Sequence, residues 1–146
     1  MIHQTASISI ASPVSEVYNF MSEPSNRLRY DAGLIAVRVT PDGPLRIGSK
    51  IVEVRPFMGM KREMATEVCE LEPDQVIGYR TLPGDSLNAS GSYRFASAPA
   101  GALLTLDFRI DPKGLMKLAA AFIAADLRRS IPAGLSAIKA VLEKPP

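Results

Sequence analysis

The sequence has 146 residues, 47% hydrophobic and 22% charged, which is enough chain to bury a core and is typical of a globular domain rather than a disordered one. The 17 basic and 15 acidic residues leave a net charge of +2 with no basic cluster, which argues against a nucleic-acid partner. Its one cysteine, Cys69, permits no internal disulfide, and the amino terminus lacks the features of a signal peptide, so we expect a cytoplasmic protein.

The chain opens with a pattern for one strand followed by two short helices. Ala6, Ile8 and Ile10 alternate with polar residues, which predicts a half-buried strand. In the next segment, SPVSEVYNFM, the apolar spacing becomes helical, with Ser12 as the expected N-cap and Pro13 at the first helical position. The segment EPSNRLRY predicts a second short helix or turn.

From Gly33 onward the sequence predicts about six antiparallel strands and then one long helix. Several of the apolar runs are separated by Pro, Asp or Gly, which is typical of turns in an antiparallel meander. No repeat or linker divides the chain, so we expect a single domain over residues 1–146. We expect an α+β fold in which a curved antiparallel sheet grips the C-terminal helix, because no other long element is available to cover the sheet.

Pro132 and Gly134 interrupt the pattern of this C-terminal helix. Leu127 and Ile131 recur around them at helical spacing, yet a proline inside a helix removes a backbone hydrogen bond. Three arrangements are open at this point. The proline marks a hinge that admits a ligand, a static kink that lets the helix follow the curved sheet, or a boundary at Ser130 between two separate helices.

Five segments, which together cover nearly the whole chain, carry a family resemblance. In chain order they are IASPVSEVYNFMSEPSNRLRYD, RIGSK, MGMKREMATEVCELEPDQVIGYRT, GSYRFASAPAGALLTLDF and LSAIKAVLE. The ordered set resembles the START-like, or SRPBCC, superfamily and within it the polyketide cyclase/dehydrase group. Tyr30 stands where relatives usually have tryptophan, and Pro132 interrupts a helix that relatives usually fill with charged residues and leucines. The resemblance implies a helix-grip fold with a deep apolar pocket between the sheet and the long helix.

Strand alternation and helical spacing select the side chains that we expect to contact a ligand in this pocket, and Tyr30 is added for its hydroxyl. They are Tyr30, Met64, Val68, Tyr79, Tyr93, Phe95, Leu106, Phe108, Met116, Ala120, Ile123, Leu127 and Ile131. The alanines between residues 119 and 125 either leave volume for a ligand or allow close packing on the sheet. Tyrosine hydroxyls are the groups expected to orient the ligand, although Tyr79 and Tyr93 fit equally well as core residues.

Apart from the tyrosines, the sequence offers little catalytic or metal-binding chemistry. His3 is the only histidine and precedes the first clear strand, so we assign it no catalytic role. One histidine and one cysteine exclude a histidine–cysteine zinc site of the structural type, and no motif marks a carboxylate site. We therefore expect no metal and no organic cofactor, and no catalytic residue is identified.

Three functions are compatible with this pattern. The favoured one is binding of a small hydrophobic molecule, such as a lipid, a fatty acid or an aromatic polyketide. The second is a polyketide cyclase or dehydratase that uses the tyrosines of the same pocket. The third is an interaction protein that contacts a partner or membrane through Phe57, Met58 and Met60 or through the amphipathic helix. For that helix, an apolar face that covers the sheet is the favoured explanation.

Two further expectations concern membranes and assembly. The longest apolar run, residues 118–125, is too short to span a bilayer, so we expect no stable membrane insertion. We expect a monomer or a weak homodimer.

Overall fold

A computed structural model describes residues 1–57, 59–84 and 87–144. Its elements follow the predicted order of one strand, two short helices, six further strands and one long helix. They are β1 (Ile2–Ile10), α1 (Val14–Met21), a 3-10 turn (Pro24–Asn26), α2 (Arg27–Tyr30), β2 (Ala36–Thr40), β3 (Lys50–Phe57), β4 (Met60–Glu72), β5 (Val76–Thr81), β6 (Leu87–Ala98), β7 (Gly101–Pro112), a 3-10 segment (Gly114–Ala119) and α3 (Ala120–Leu142). The side chains of Phe57 and Leu87, and all of Met58, lie outside the described residues.

The strands form one antiparallel sheet of seven in the order β1-β7-β6-β5-β4-β3-β2. From β2 to β7 each strand pairs with the next one along the chain, while β1 pairs with β7. The register shifts on β4 between Val68 and Glu70, and a bulge of this kind increases the local bend of a strand. The prediction of an α+β fold, with a curled antiparallel sheet that grips a long helix, is confirmed.

The start of α1 differs from the prediction. Ser12 does not cap the helix: the cap is Pro13, whose carbonyl accepts hydrogen bonds from the N–H groups of Glu16 and Val17. Ser12 is the buried residue before Pro13, and its backbone packs against Gly101, the first residue of β7. A Cβ on Gly101 would lie 2.6 Å from the Ser12 carbonyl oxygen, so this close approach requires glycine.

The hydrophobic core fills one end of the concave face of the sheet. There α1 buries Val17, Tyr18 and Phe20, and the Tyr18 ring meets Phe95 edge-on with centroids 5.3 Å apart. The strands contribute side chains that are almost completely buried. They include Ile10, Ile51, Val68, Ile77 and Leu104.

The long helix continues through Pro132 without a break, so the arrangement with two helices separated at Ser130 is wrong. Within the described residues, α3 has no buried side chain before Ile131; its buried side chains are Ile131, Leu135 and Ile138. The helix is therefore anchored from Ile131 onward and is less covered before it.

Two side chains fasten the end of α3 to β1. The ammonium group of Lys139 donates to the Ser9 carbonyl at 2.7 Å, and the Ala11 N–H donates to the Glu143 carboxylate at 2.8 Å. Lys139 and Glu143 also pair with each other at 2.6 Å. Among the residues described, no helix is both long enough and apolar enough to cross a membrane.

Candidate functional site

A cavity of about 790 Å³, partly open to solvent, separates α3 from the middle of the sheet. Its walls come from α2, from strands β3 to β7 and from the part of α3 between Asp126 and Ile138. This volume lies in the range of pockets that hold small organic molecules. The cavity is therefore the candidate functional site.

Most of the residues that we predicted to face a ligand line this cavity. They are Tyr30, Met64, Tyr79, Tyr93, Leu106, Phe108, Leu127 and Ile131. The strand members were predicted from alternation, which works here because one face of each strand is turned toward the helix. Both Tyr79 and Tyr93 lie at the cavity wall, so their side chains are in place to meet a ligand.

The other predicted residues lie elsewhere. Val68 and Phe95 belong to the hydrophobic core, because α1 covers that end of the sheet and fills the space. Met116, Ala120 and Ile123 are partly buried but precede the stretch of helix that borders the cavity. The small residues that do border it come later in the helix. They are Ala133, Gly134 and Ala137, rather than the alanines before Asp126.

A charged cluster forms one part of the cavity wall, and the sequence analysis missed it. Arg27 on α2 pairs with Glu53 on β3 at 3.0 Å, and both side chains are largely buried. Arg55 pairs with Asp31 at 2.6 Å and with the second oxygen of Glu53 at 3.3 Å. We call these four residues the polar cluster. Its two arginines and two carboxylates balance in formal charge.

The face of β3 explains why the cluster was missed. Ile51 is fully buried, and Glu53 and Arg55 follow it at two-residue spacing on the same face. In the sequence, Val52 and Val54 are the more obvious inward candidates for this strand. The strand pairing resolves the ambiguity, because Glu53 lies opposite Met64, and residues directly opposite in an antiparallel pair share a face.

Three tyrosine hydroxyls add hydrogen-bond donors to the cavity. Burial raises the pKa of Tyr93 to about 12, although the nearby charge of Arg27 acts in the opposite direction. Burial raises the pKa of Tyr30 and of Tyr79 as well, again against the effect of Arg27. All three hydroxyls are therefore protonated at neutral pH. They are suited to donate hydrogen bonds to a ligand oxygen or to act as acids, not as bases.

Arg27 links the tyrosines to the polar cluster. Its guanidinium lies over the Tyr79 ring, 4.8 Å from the centroid, in a cation–π contact. Burial alone would lower the pKa of Arg27, but Tyr79 and Glu53 outweigh it and raise the pKa. Arg27 thus remains charged.

Two further arginines at the cavity wall are also paired with carboxylates. Arg80 pairs with Glu67 at 2.7 Å, and Arg129 pairs with Asp126 at 2.7 Å. Every arginine among the described residues that line the cavity therefore has an acidic partner. A negatively charged ligand would meet no unpaired guanidinium there.

Solved structures with a similar fold cover nearly the whole chain. The di-domain ARO/CYC BexL from the BE-7585A biosynthetic pathway matches with a TM-score of 0.80 and 17% identity, over 99% of this chain and 51% of BexL. The Zhui aromatase/cyclase from Streptomyces sp. R1128 matches with a TM-score of 0.77 and 19% identity, over 97% of this chain and 93% of Zhui. The protein TTHA0849 from Thermus thermophilus matches with a TM-score of 0.74 and 13% identity, over 94% of this chain and 93% of that protein.

These identities support similarity of fold alone. The chain spans about half the length of BexL and of the second di-domain structure, StfQ, so the activities of those whole proteins do not transfer to it. No curated protein matches the sequence. The family model described as "Polyketide cyclase / dehydrase and lipid transport" matches residues 1–143, and the chain therefore belongs to that family.

Proposed function

We propose that this protein binds a small, largely apolar molecule that carries neutral oxygen groups, in the cavity between the sheet and α3. One observation carries the proposal: apolar side chains and protonated tyrosines share the cavity with a polar cluster whose charges are already balanced. Affinity would come mainly from apolar area removed from water, at roughly 25 cal/mol per Å². The tyrosine hydroxyls would set the orientation of the ligand.

The charge balance bears on which ligand is favoured. A ligand carboxylate near the polar cluster would have to compete with Glu53 for Arg27, or lie beside Glu53 without a countercharge. Either arrangement leaves a partly buried charge poorly paired, which is costly. A ketone or phenol oxygen can instead accept a hydrogen bond from a tyrosine and leave the ion pairs intact. Neutral aromatic or polyketide-like molecules are therefore favoured over free fatty acids.

A matched pair of probes tests this preference. Methyl decanoate and decanoate share one acyl chain, but only decanoate carries a carboxylate. We expect the ester to bind roughly ten-fold more tightly in calorimetric titration at neutral pH, because it carries no charge next to Glu53. Tighter binding of decanoate would contradict the proposal. Failure of both probes to bind, together with no released molecule in native mass spectrometry, would reject the binding function.

Glu53→Gln is the informative variant for the same titration. It removes one negative charge and leaves Arg27 without its carboxylate partner, so the preference should move toward decanoate. Glu63→Gln is the matched control, because Glu63 pairs with Arg38 through exposed side chains and does not line the cavity. An equal change in both variants would mean that the polar cluster does not select the ligand.

A cyclase or dehydratase activity is the second candidate, and two observations favour it. The chain belongs to a family whose description includes cyclases and dehydrases, and its cavity holds tyrosines that keep their protons. Such hydroxyls can polarise a carbonyl or protonate a leaving oxygen. On this hypothesis Tyr79→Phe and Tyr93→Phe abolish turnover of a polyketone while binding of the product persists. Turnover that persists in both variants would reject the tyrosines as the acids, and a lack of turnover by the original chain would favour simple binding.

The proposal also covers the cellular compartment and the oligomeric state. A single exposed cysteine, Cys69, supports a reducing compartment, and we propose a cytoplasmic monomer or weak homodimer.

A further inference from the structure

The stretch before the cavity-lining part of α3 carries an apolar surface that the sheet does not cover. Leu115, Leu118 and Phe122 are 85%, 84% and 83% exposed, which is close to full exposure for each side chain. They recur at spacings of three and four residues and so share one side of the segment. The favoured explanation from the sequence, an apolar face that covers the sheet, does not account for these three residues.

The same segment has a second apolar side. Met116, Ile123 and Leu127 are partly buried and lie roughly opposite the exposed three at helical spacing. A helix that is apolar on both sides is normally covered on both sides. Here the rest of the protein covers one side only. We call Leu115, Leu118 and Phe122 the outer apolar face.

Strand order places this face at one end of the sheet. Strand β7 ends at Pro112 and leads directly into the 3-10 segment, and the turn between β3 and β4 lies at the same end of the strands. That turn exposes Met60, whose side chain is 75% accessible. The loop between β2 and β3, with its own exposed Ile47, lies at the opposite end.

Within the stretch that carries the outer apolar face, all charged side chains are positive, and the nearest carboxylate on α3, Asp126, is paired with Arg129. Lys113 and Lys117 flank it, and the sequence has no acidic residue between Pro112 and Asp126. Both lysines are exposed, and in the described part of the chain neither pairs with a carboxylate. Apolar side chains with flanking lysines are the chemistry that binds an anionic lipid surface.

We propose that the outer apolar face, with Lys113 and Lys117, docks the protein on the surface of an anionic membrane. The contact is peripheral: Leu115, Leu118 and Phe122 enter the headgroup region while the lysines meet lipid phosphates and carboxylates. This goes beyond the proposed ligand-binding function and does not depend on what the cavity holds.

Charge also argues against a second copy of the chain as the occupant. In a two-fold dimer through this face, the segments from Lys113 to Ala125 of the two copies would pack on each other. Each brings two lysines and no acidic residue, and the adjoining carboxylate, Asp126, is already paired with Arg129, so the contact would gather four lysine charges without a free countercharge. A negatively charged surface satisfies the same lysines.

Vesicle sedimentation of the full chain, without added ligand, tests the docking. The vesicles contain phosphatidylcholine alone or with about one-third phosphatidylserine. We expect binding to the anionic vesicles only, because the lysines attract the serine headgroups. No binding to either vesicle, or equal binding to both, would overturn the proposal.

Variants at exposed positions locate the contact. Leu118→Ser with Phe122→Ser should weaken vesicle binding by about ten-fold or more, since it removes the side chains that enter the headgroup region. Ile47→Ser is the matched control, an exposed apolar residue at the opposite end of the sheet, and it should leave binding unchanged. An equal loss in both variants would mean that the outer apolar face is not the contact.

Substitution of the two lysines measures how much their charge contributes to vesicle binding. Lys113→Gln with Lys117→Gln should weaken binding to anionic vesicles roughly twenty-five-fold, from about five-fold for each lysine. Arg46→Gln with Lys50→Gln is the matched control at the opposite end and should have no such effect.

Light scattering of the same proteins without vesicles tests for a dimer. A dimer that dissociates in the Leu118→Ser, Phe122→Ser variant, without vesicle binding by the original chain, would assign the face to a second copy and reject the membrane.

Discussion

Arg27 combines two interactions at the polar side of the cavity. It pairs with Glu53, with side-chain exposures of 15% and 16%, and its guanidinium stacks over Tyr79. A largely buried ion pair stabilises the fold little more than two well-packed apolar side chains would in its place. The loss of one partner, however, leaves the other charge poorly solvated and unpaired. The residue therefore matters for stability as well as for the charge that a ligand meets.

This difference predicts an asymmetry between single and double substitutions. Arg27→Met should lower the free energy of unfolding by about 2–4 kcal/mol, because Glu53 loses its closest countercharge. Arg27→Met with Glu53→Met should cost less than the single change, since no unpaired carboxylate remains and Arg55 keeps Asp31. Urea unfolding of the three proteins measures both effects.

An exposed ion pair supplies the control for that experiment. Arg38 and Glu63 pair at 3.3 Å with side-chain exposures of 59% and 62%, so Arg38→Met should change the free energy of unfolding by less than about 1 kcal/mol. If Arg27→Met is no more destabilising than Arg38→Met, Arg27 is better solvated than its position suggests.

At the scale of elements, α3 is one helix with two different environments. The part from Ile131 onward carries the buried residues of the helix and is tied to β1 by Lys139 and Glu143. The part before Ile131 has no buried side chain and includes Phe122 of the outer apolar face, whose other two residues lie in the preceding 3-10 segment. The proline thus lies at the boundary between an anchored segment and a weakly held one, where a missing hydrogen bond has most influence on local opening.

Pro132→Ala tests which of the two remaining roles the proline has. Alanine restores an N–H that can donate toward the Arg128 carbonyl, and position 132 is exposed. If the proline is a hinge, Pro132→Ala should therefore raise the free energy of unfolding by about 1–2 kcal/mol. Hydrogen exchange should slow in residues 120–130 and change little after Leu135. Ser136→Ala, an exposed change in the same helix, should stay within about 0.5 kcal/mol. A loss of stability in Pro132→Ala would instead identify a static kink that fits α3 to the sheet.

The elements themselves were predictable from the sequence because periodicity and turn residues report on local structure. Alternation placed Met64, Tyr79 and Leu106 at the cavity, since one apolar face dominates each of those strands. It identified no cavity residue on β3, where Val52 and Val54 resemble an inward face and the pairing with β4 shows that Glu53 shares the face of Met64. Side-chain facing on such a strand is fixed by its neighbour in the sheet and not by its own pattern.

Helical spacing has a different limit. It grouped Met116 and Ile123 with Leu127, and all three are partly buried, but spacing carries no information on where along its axis a helix leaves the sheet. The cavity borders α3 only from Asp126 to Ile138. The outer apolar face was hidden for the same reason, because its residues fit an ordinary core-facing stripe when the sequence is considered alone.

At the scale of the whole molecule, the buried tyrosines couple folding to alkaline pH. The sequence has 4 tyrosines, and burial raises the pKa of each one in the folded protein. The unfolded chain would release these protons near the ordinary value of 10.0, whereas folded Tyr93 holds its proton to about 12. Above pH 10 the unfolded state therefore binds fewer protons than the folded state, so stability falls as the pH rises.

Urea unfolding between pH 8 and pH 11 should record this fall. We expect a transition midpoint that is nearly constant below about pH 9.5 and then decreases steadily, with a shallower decrease in Tyr93→Phe. Tyrosinate absorbance at about 295 nm identifies the groups responsible, because folded protein should show little of it at pH 10. Half of the full tyrosinate absorbance in the folded protein at pH 10, the value for tyrosines with the ordinary pKa of 10.0, would contradict the burial of these hydroxyls.

The attachment of α3 to β1 has a further consequence for the way that molecules meet one another. Strand β1 is an edge of the sheet, and the unpaired backbone groups of an edge can recruit a strand from another molecule and start aggregation. Lys139 and Glu143 occupy the Ser9 carbonyl and the Ala11 N–H at the end of this strand. The last turns of the helix thus shield that stretch of β1 from intermolecular pairing. Lys139 and Glu143 therefore have two effects: they attach α3 to the sheet and they block pairing at its edge.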